Sequence, residues 1–303
     1  LRHRHEFVAH HLPSPWSYRL RWLVPWLGVF SGRLPVFYGI YISFNQSGFG
    51  AAVYVFTFEW YGEIFSDLLL LGALGNTMIL AAITLVVAVP MGLIAAKFYK
   101  ATQAKLLTVS LLLSPLFVPA DILGSALLVF FKNLNIACAT IGEWLGVSWF
   151  DTWFDLGYFS ALVGLIIYTL PYIFVIILIT MGRYPEQQTE AARSCGATAW
   201  QAFIQIEFPQ IRAGVFSACA FAVILTFNEY TRTSLLKGGY DTITTVLISQ
   251  MLNEGMSEQS YAMSSMVSYI AIGIIGSIIL YTLVRSERLE RIARAKADPM
   301  GAA

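Results

Sequence analysis

LLLLGALGNTMILAAITLVVAVPMGLIAA, Leu68 to Ala96, is 29 consecutive residues without Asp, Glu, Lys or Arg, bounded by Asp67 and Lys97. A helix crossing the hydrocarbon core of a bilayer needs about 20 mostly apolar residues, so this stretch is long enough to span with some tilt. Two further runs are equally free of charge, 27 residues between Asp155 and Arg183 and 26 between Glu258 and Arg285. Three more are broken by charge: Leu106 to Phe131 holds Asp121, Ala213 to Leu236 holds Glu229 and Arg232, and Trp22 to Phe44 holds Arg33. The pattern predicts an all-α membrane protein with six transmembrane helices, near 22–44, 73–96, 106–131, 157–181, 213–236 and 261–284.

Composition agrees with that class. Of 303 residues, 57% are hydrophobic and 12% charged, with a mean hydropathy of +0.66. A soluble domain carries about 25% charged residues, and this chain has too few to cover a water-exposed surface. A net charge of +1 excludes a generally basic nucleic-acid binder, and the low charge excludes disorder. Cys138, Cys195 and Cys219 are too widely spaced for a disulfide framework or a zinc site.

The basic residues set the orientation. Loops on one side hold fifteen Lys and Arg, including Lys97, Lys100, Arg183, Arg193 and Arg285, whereas loops on the other hold only Lys132 and Lys237. The positive-inside rule places both termini in the cytoplasm. Residues 1–21 then form a cytoplasmic lead-in, 22–284 the six-helix domain with a long cytoplasmic loop at 183–212, and 285–303 a basic cytoplasmic tail drawn to lipid headgroups. The start mixes Arg, His, Pro and Trp, unlike a cleaved signal. Its histidines, His3, His5, His10 and His11, lack Cys or carboxylate partners, and no metal site is expected.

No chemistry is expected of this chain alone. It has no Gly-x-x-x-x-Gly-Lys-Ser/Thr phosphate loop, no Gly-x-Ser-x-Gly elbow and no His-Glu-x-x-His pair, so no catalytic residues are assigned and no cofactor is expected on it.

The loop at 183–212 has more design than a tether needs. Pro185 suits the first turn of a helix, Glu186 and Glu190 its positive end, and Gly196 a left-handed close. Thr198 and Gln201 have capping-box spacing for a second helix. Trp200, Phe203, Ile204 and Phe208 fall on one side of it, and Pro209 is expected to stop it before the next span. Two readings fit this pattern, a hairpin presented to a partner or an amphipathic linker lying on the bilayer.

Glu190-Ala191-Ala192, Gly196, then Ile206-Glu207-Phe208-Pro209 resembles the EAA loop of binding-protein-dependent ABC importers, whose pattern is Glu-Ala-Ala, three residues, Gly, nine residues, Ile-x-Leu-Pro. Phe208 stands for the usual Leu. Pro35, Ser43-Phe44-Asn45, Phe58-Glu59-Trp60-Tyr61, Ser114-Pro115 and Asp121 are similar to the permeases of the spermidine/putrescine group. Asn228-Glu229-Tyr230 and Lys237-Gly238-Gly239 fall where that group has an acidic pair and a glycine turn. Here an Asn replaces the first acid, and Arg232 follows.

The resemblance implies a type I (MetI-like) permease subunit in a bacterial inner membrane, pairing with a homologous second permease. Its other implied partners are two ATPase subunits carrying ATP and Mg, an external solute-binding protein and membrane lipid, with no nucleic acid. Glu190, Ala191, Ala192, Gly196, Ala197, Ile206 and Pro209 are then the contacts that pass ATP-driven closure to the spans. The implied solute is a small polar organic molecule, a polyamine first; amino-acid-like, opine or phosphonate solutes are alternatives. An ion-coupled carrier acting alone is the competing class, and its signature of inverted repeats is not evident.

Charges inside the membrane need a partner or a watery path. Glu229 and Arg232 are three apart and either pair with each other or line the path; Asn228 and Tyr230 are further candidates for the path, with ordinary packing the alternative for Tyr230. Asp121 follows Pro115 and Pro119, which disrupt the helix before it. It can meet an organic cation, cap a helix or pair with Arg33.

Overall fold

The computed structural model describes residues 34, 36–47, 53–146, 154–253, 255 and 257–297, and for part of the last helix its backbone alone. The predicted lead-in 1–21, most of the first span and Arg33 lie outside the described residues. The elements in chain order are α1 (36–42), α2 (Glu59–Ser66), α3 (Leu68–Ala101), α4 (Lys105–Leu113), a 3-10 turn (Ser114–Phe117) and α5 (Ala120–Leu145). They continue with α6 (Tyr158–Gly182), α7 (Gln187–Ser194), α8 (Ala199–Ala202), a π-turn (Phe203–Glu207), α9 (Phe208–Asn228), α10 (Thr231–Leu236), α11 (Ile243–Asn253) and α12 (Glu258–Ala297). Among the described residues the only β pairing is one isolated bridge, Asn45 with Phe56. The fold is all-α.

Among the described residues, four helical runs are long and apolar enough to cross a membrane: Leu68–Ala101, Ala120–Leu145, Tyr158–Gly182 and the continuous run Ala199–Asn228. The second expected span, 73–96, sits inside α3, and the fourth, 157–181, matches α6 but for Gly157, which precedes the helix. α3 begins earlier because the Asp67 side chain caps it, accepting from the backbone N–H of Leu69 at 2.8 Å and of Leu70 at 3.4 Å. With 34 residues α3 is about 50 Å long, so its last turns carry Lys97 and Lys100 beyond the hydrocarbon. α12 covers 261–284 and runs unbroken into the basic tail as far as Ala297.

One expected disruption is present and two expectations are corrected. The span at 106–131 is not one helix: Pro115 and Pro119, which cannot donate and which displace the preceding backbone, divide it into α4, a 3-10 turn and α5. The span at 213–236 is interrupted at Glu229–Tyr230, where Glu229 is extended with ψ 112°. The outer segments taken as loops are partly helical. α2 lies in 45–72, the end of α5 in 132–156, and α11 in 237–260, where it buries Ile243, Thr245 and Val246.

The centre of the molecule is the packing of α3, α6 and α9. Lipid is as apolar as a leucine, so close contact between helices, rather than exclusion of water, holds such spans together, and small residues allow it. Ala88, Ala96, Ala218 and Ala222 are buried there beside Ile173, Phe174, Ile177 and Ile211. A methyl on Gly214 would overlap the Thr180 side chain, and one on Gly92 would come within 2.5 Å of Ile173 Cγ2. These glycines set the α6–α9 and α3–α6 approaches. A Cβ added at Gly273 or Gly276 in α12 would meet no described atom of another element within 4 Å.

A second cluster joins Ile64, Leu70 and Ala73 to Phe227, Ile243 and Met263, and a third joins Leu80 and Phe131 to Leu165 and Leu236. Helix ends buried here find polar partners, as backbone inside a membrane must. Ser160 Oγ donates to Leu236 O at 2.7 Å, and Ile243 N–H donates to Thr77 Oγ1 at 2.9 Å. Asn76 Nδ2 donates to Asp241 O at 2.8 Å while Tyr158 bonds the Asn76 side-chain oxygen, and the Tyr158 and Tyr240 rings stack at 4.0 Å. The outer ends of α3 and α6 are thereby tied to the segment between α10 and α11.

Candidate functional site

The hairpin between α6 and α9 is built by local chemistry. Pro185 lies just before α7 rather than in its first helical residue, and its carbonyl accepts the first turn's bond from Gln188 N–H at 3.2 Å. The Glu186 carbonyl accepts from Thr189 and Glu190. At the other end Gly196 has φ 93°, the left-handed conformation that glycine adopts without a Cβ penalty. Gly196 N–H donates to Arg193 O at 3.0 Å and Ala197 N–H to Ala192 O at 3.1 Å, the two bonds of a Schellman close. Thr198 then starts the second helix with a reciprocal cap. Gln201 N–H donates to Thr198 Oγ1 at 3.3 Å, and Thr198 N–H to Gln201 Oε1 at 2.9 Å.

α7 buries none of its residues; Glu190 and Ala191 are exposed and Ala192 half-buried. Ala191 and Ala192 thus give α7 a stretch without long side chains, on a helix with none of its residues buried. Its base is anchored: Tyr184 is buried and shares a 2.5 Å hydrogen bond with Thr189, and Gln210 on α9 bonds Gln188 on α7.

Pro209 does not stop the second helix. The helix runs through Pro209 because a π-turn precedes it, with Phe208 N–H donating to Phe203 O five residues back. Proline has no N–H for the residue four back and its ring crowds that carbonyl; the widened turn removes the conflict. Ile206 is half-buried and Glu207 buried. The Phe203 ring lies 5.8 Å from Trp200 and 5.9 Å from Phe208, yet Trp200 stays 70% exposed.

Four charged residues that no motif marked as a set meet at the hairpin base. Lys97 Nζ is 2.9 Å from Glu207 Oε2 and 4.0 Å above the Phe203 ring. Lys100 Nζ is 2.5 Å from Glu186 Oε1 and donates to Met181 O at 3.0 Å. They border a cavity of about 310 Å³ that also reaches Glu190 and Arg193. Lys97 and Lys100 read in the sequence as topology signals alone; the signal for more was their three-residue spacing opposite two acids of the loop.

The residues expected near a solute path fall into two groups. Glu229 and Arg232 are both buried and paired across the α9–α10 break, with Arg232 Nη1 3.0 Å from each Glu229 oxygen and Arg232 N–H donating to Glu229 Oε1 at 2.9 Å. The pair spans the break between the two helices, and both side chains are buried. The Arg232 guanidinium also sits 4.5 Å over the Tyr168 ring, a contact 64 positions away that no local pattern announces. α10 reaches α5 closely because Gly124 has no side chain; an added methyl would meet Leu235 at 2.9 Å and Arg232 Cα at 3.6 Å. The carbonyl of Phe227, freed near the break, accepts from Thr244 Oγ1 at 2.5 Å.

Asn228 is exposed, with its amide donating to Ile224 O at 2.9 Å, and Tyr230 is half-buried. Asp121 is exposed in the first turn of α5, where its charge faces the positive end of the helix, and it makes no side-chain cap. The structure brings Glu229 and Arg232 together. It leaves Asp121 and Asn228 on open surface.

Broken apolar spans joined by a capped hairpin define a multi-pass membrane protein. The sequence pattern of binding-protein-dependent transport system inner membrane components matches residues 88–288, and the chain belongs to that family. It is 25% identical over 291 residues to the putrescine transport system permease protein PotI of Escherichia coli K12, covering 93% of this chain and 96% of that one. It is 25% identical over 219 residues, 72% of each chain, to the spermidine/putrescine permease PotC homolog of Mycoplasma genitalium. It is 27% identical over 158 residues to the xylose/arabinose import permease XacH of Haloferax volcanii, covering 49% of this chain and 48% of that one. A bacterial ABC transporter that imports alginate has a chain of the same fold, with a TM-score of 0.66 at 17% identity over 90% of this chain and 96% of that one. The stand-alone carrier is set aside by this membership.

Proposed function

We propose that this chain is the permease subunit of an ATP-driven importer for a polyamine, working in a bacterial inner membrane. It would pair with a homologous permease and receive solute from an external binding protein. ATP and Mg would reside on two separate ATPase subunits, and this chain would be non-catalytic. The observation that carries the reading is the uncovered helix α7, closed by Gly196 and anchored at its base, within the Glu-Ala-Ala to Pro209 pattern. Glu190, Ala191, Ala192, Gly196 and Ala197 would sit in a cleft of the ATPase, and Ile206 and Pro209 would pass its movement into α9. A nucleotide bound elsewhere would then bias a two-state membrane element.

The polyamine assignment rests on the near full-length similarity to PotI. Asp121, Asn228, Glu229, Tyr230 and Arg232 are the candidate path residues, grouped at the two helix breaks.

The experiment is copurification in mild detergent followed by reconstitution. The chain is expected to retain an ATPase, and that ATPase is expected to slow maleimide labelling of Cys195, an exposed thiol beside Gly196. Reconstituted with the binding protein, it should take up putrescine in preference to xylose, an amino acid or a phosphonate. Unchanged labelling of Cys195 in every nucleotide state would defeat the hairpin assignment; preference for another solute would defeat the polyamine.

A further inference from the structure

The hairpin is joined through the backbone to α6 on one side and α9 on the other, but no backbone joins it to α3. The two ion pairs supply that link. Glu207 is buried in the π-turn, its side chain 8% exposed, and the cation that meets it, Lys97, belongs to the last turns of α3. Lys97 is held a second way, over the ring of Phe203 in the same π-turn. One turn on, Lys100 bridges Glu186 at the start of the hairpin and the carbonyl of Met181 at the end of α6. Two lysines on one face of one helix therefore grip both legs of the hairpin. α3 in turn packs along α6 and α9 through much of the membrane.

We infer that Lys97 and Lys100 are positioning residues that fasten the hairpin to α3, so that a push on α7 moves α3 with α6 and α9 as one body. The fastening is a property of this chain alone; its use in transmission rests on the reading of the hairpin given above. Lys97 is the stronger of the two. Its partner carboxylate is buried and has no second cation among the described residues, whereas the Glu186 side chain is 60% exposed and screened by water and salt.

The test uses the purified full-length chain and the assembled transporter. Lys97→Glu and Glu207→Lys should each speed hydrogen exchange at the amides of residues 187–207 roughly tenfold or more, since a charge-assisted contact is lost. In the transporter each should leave ATP hydrolysis running while uptake falls. The double variant K97E/E207K should restore slow exchange and uptake together, and Lys100→Met should act in the same direction but more weakly. If the charge reversals do not fold, Glu207→Gln and Lys97→Met remove the charges with little change of shape and should speed exchange likewise. Wild-type exchange rates in all single variants would overturn the proposal, whatever α7 binds. A double variant no better than the singles would overturn it too, because a merely structural lysine would not be rescued by reversal. A wild-type chain that never retains an ATPase would overturn the functional reading instead, and with it the transmission half of this inference.

Discussion

At residue scale the buried pair Glu229–Arg232 carries the largest electrostatic stake. Each side chain is 7% exposed, so removing one partner leaves the other charge without compensation, which costs about 3–5 kcal/mol. Glu229→Gln is therefore expected to lower the thermal midpoint of the detergent-purified chain sharply. E229Q/R232M, which removes both charges, should recover most of that loss. Gly196 has a different stake. Proline there can neither adopt φ 93° nor donate to Arg193 O, so G196P removes the Schellman close and the bend between α7 and α8. Uptake should be lost while the protein still reaches the membrane in normal amount, read by transport assay beside immunoblot of the membrane fraction.

At the scale of elements, α6 and α9 are held by an approach that only glycine permits. Gly214→Leu forces the Thr180 side chain and the backbone around it to move, at about 1–3 kcal/mol. The variant should unfold at lower temperature than wild type, whereas Gly214→Ala, with one methyl to accommodate, should fall between them. This scale also shows what the sequence could and could not announce. Uncharged runs located α3 and α6 because a span needs apolar length, and local caps at Thr198 and Gly196 were legible because capping depends on residues three or four apart. Breaks were legible where proline made them, at Pro115 and Pro119. The break at Glu229 was not, since no residue there forbids a helix; it is settled by what surrounds it, including Thr244 on the Phe227 carbonyl. Pro209 misled for a related reason: proline excludes an ordinary turn, and the π-turn is a way round that exclusion. Tyr168, Lys97 and Lys100 found their partners by folding, across separations that periodicity does not encode.

At the scale of the whole molecule the prediction concerns sidedness. Fifteen basic residues fall in one set of loops and two in the other, which sets the hairpin and the segment after α10 on opposite faces. With Cys138, Cys195 and Cys219 replaced by serine, a cysteine placed at Arg193 should react with an impermeant maleimide only in inside-out vesicles. One placed at Gly239, exposed after α10, should react only in right-side-out vesicles. Reaction of both from the same side would refute the six-span arrangement. The same picture assigns the exposed apolar residues of α5, such as Val129, Phe130 and Ile136, to lipid rather than to water.

The π-turn ahead of Pro209 reaches further than its five residues. Each residue added to or taken from a helix rotates everything downstream by about 100°, so a single deletion between Phe203 and Glu207 would swing the whole of α9 off its contact with α6. It would also carry Glu207 away from Lys97. The count of residues from Gly196 to Pro209 is thus a ruler as much as a message: many substitutions along it can be absorbed, but a change of length there would turn the membrane span against the hairpin that precedes it.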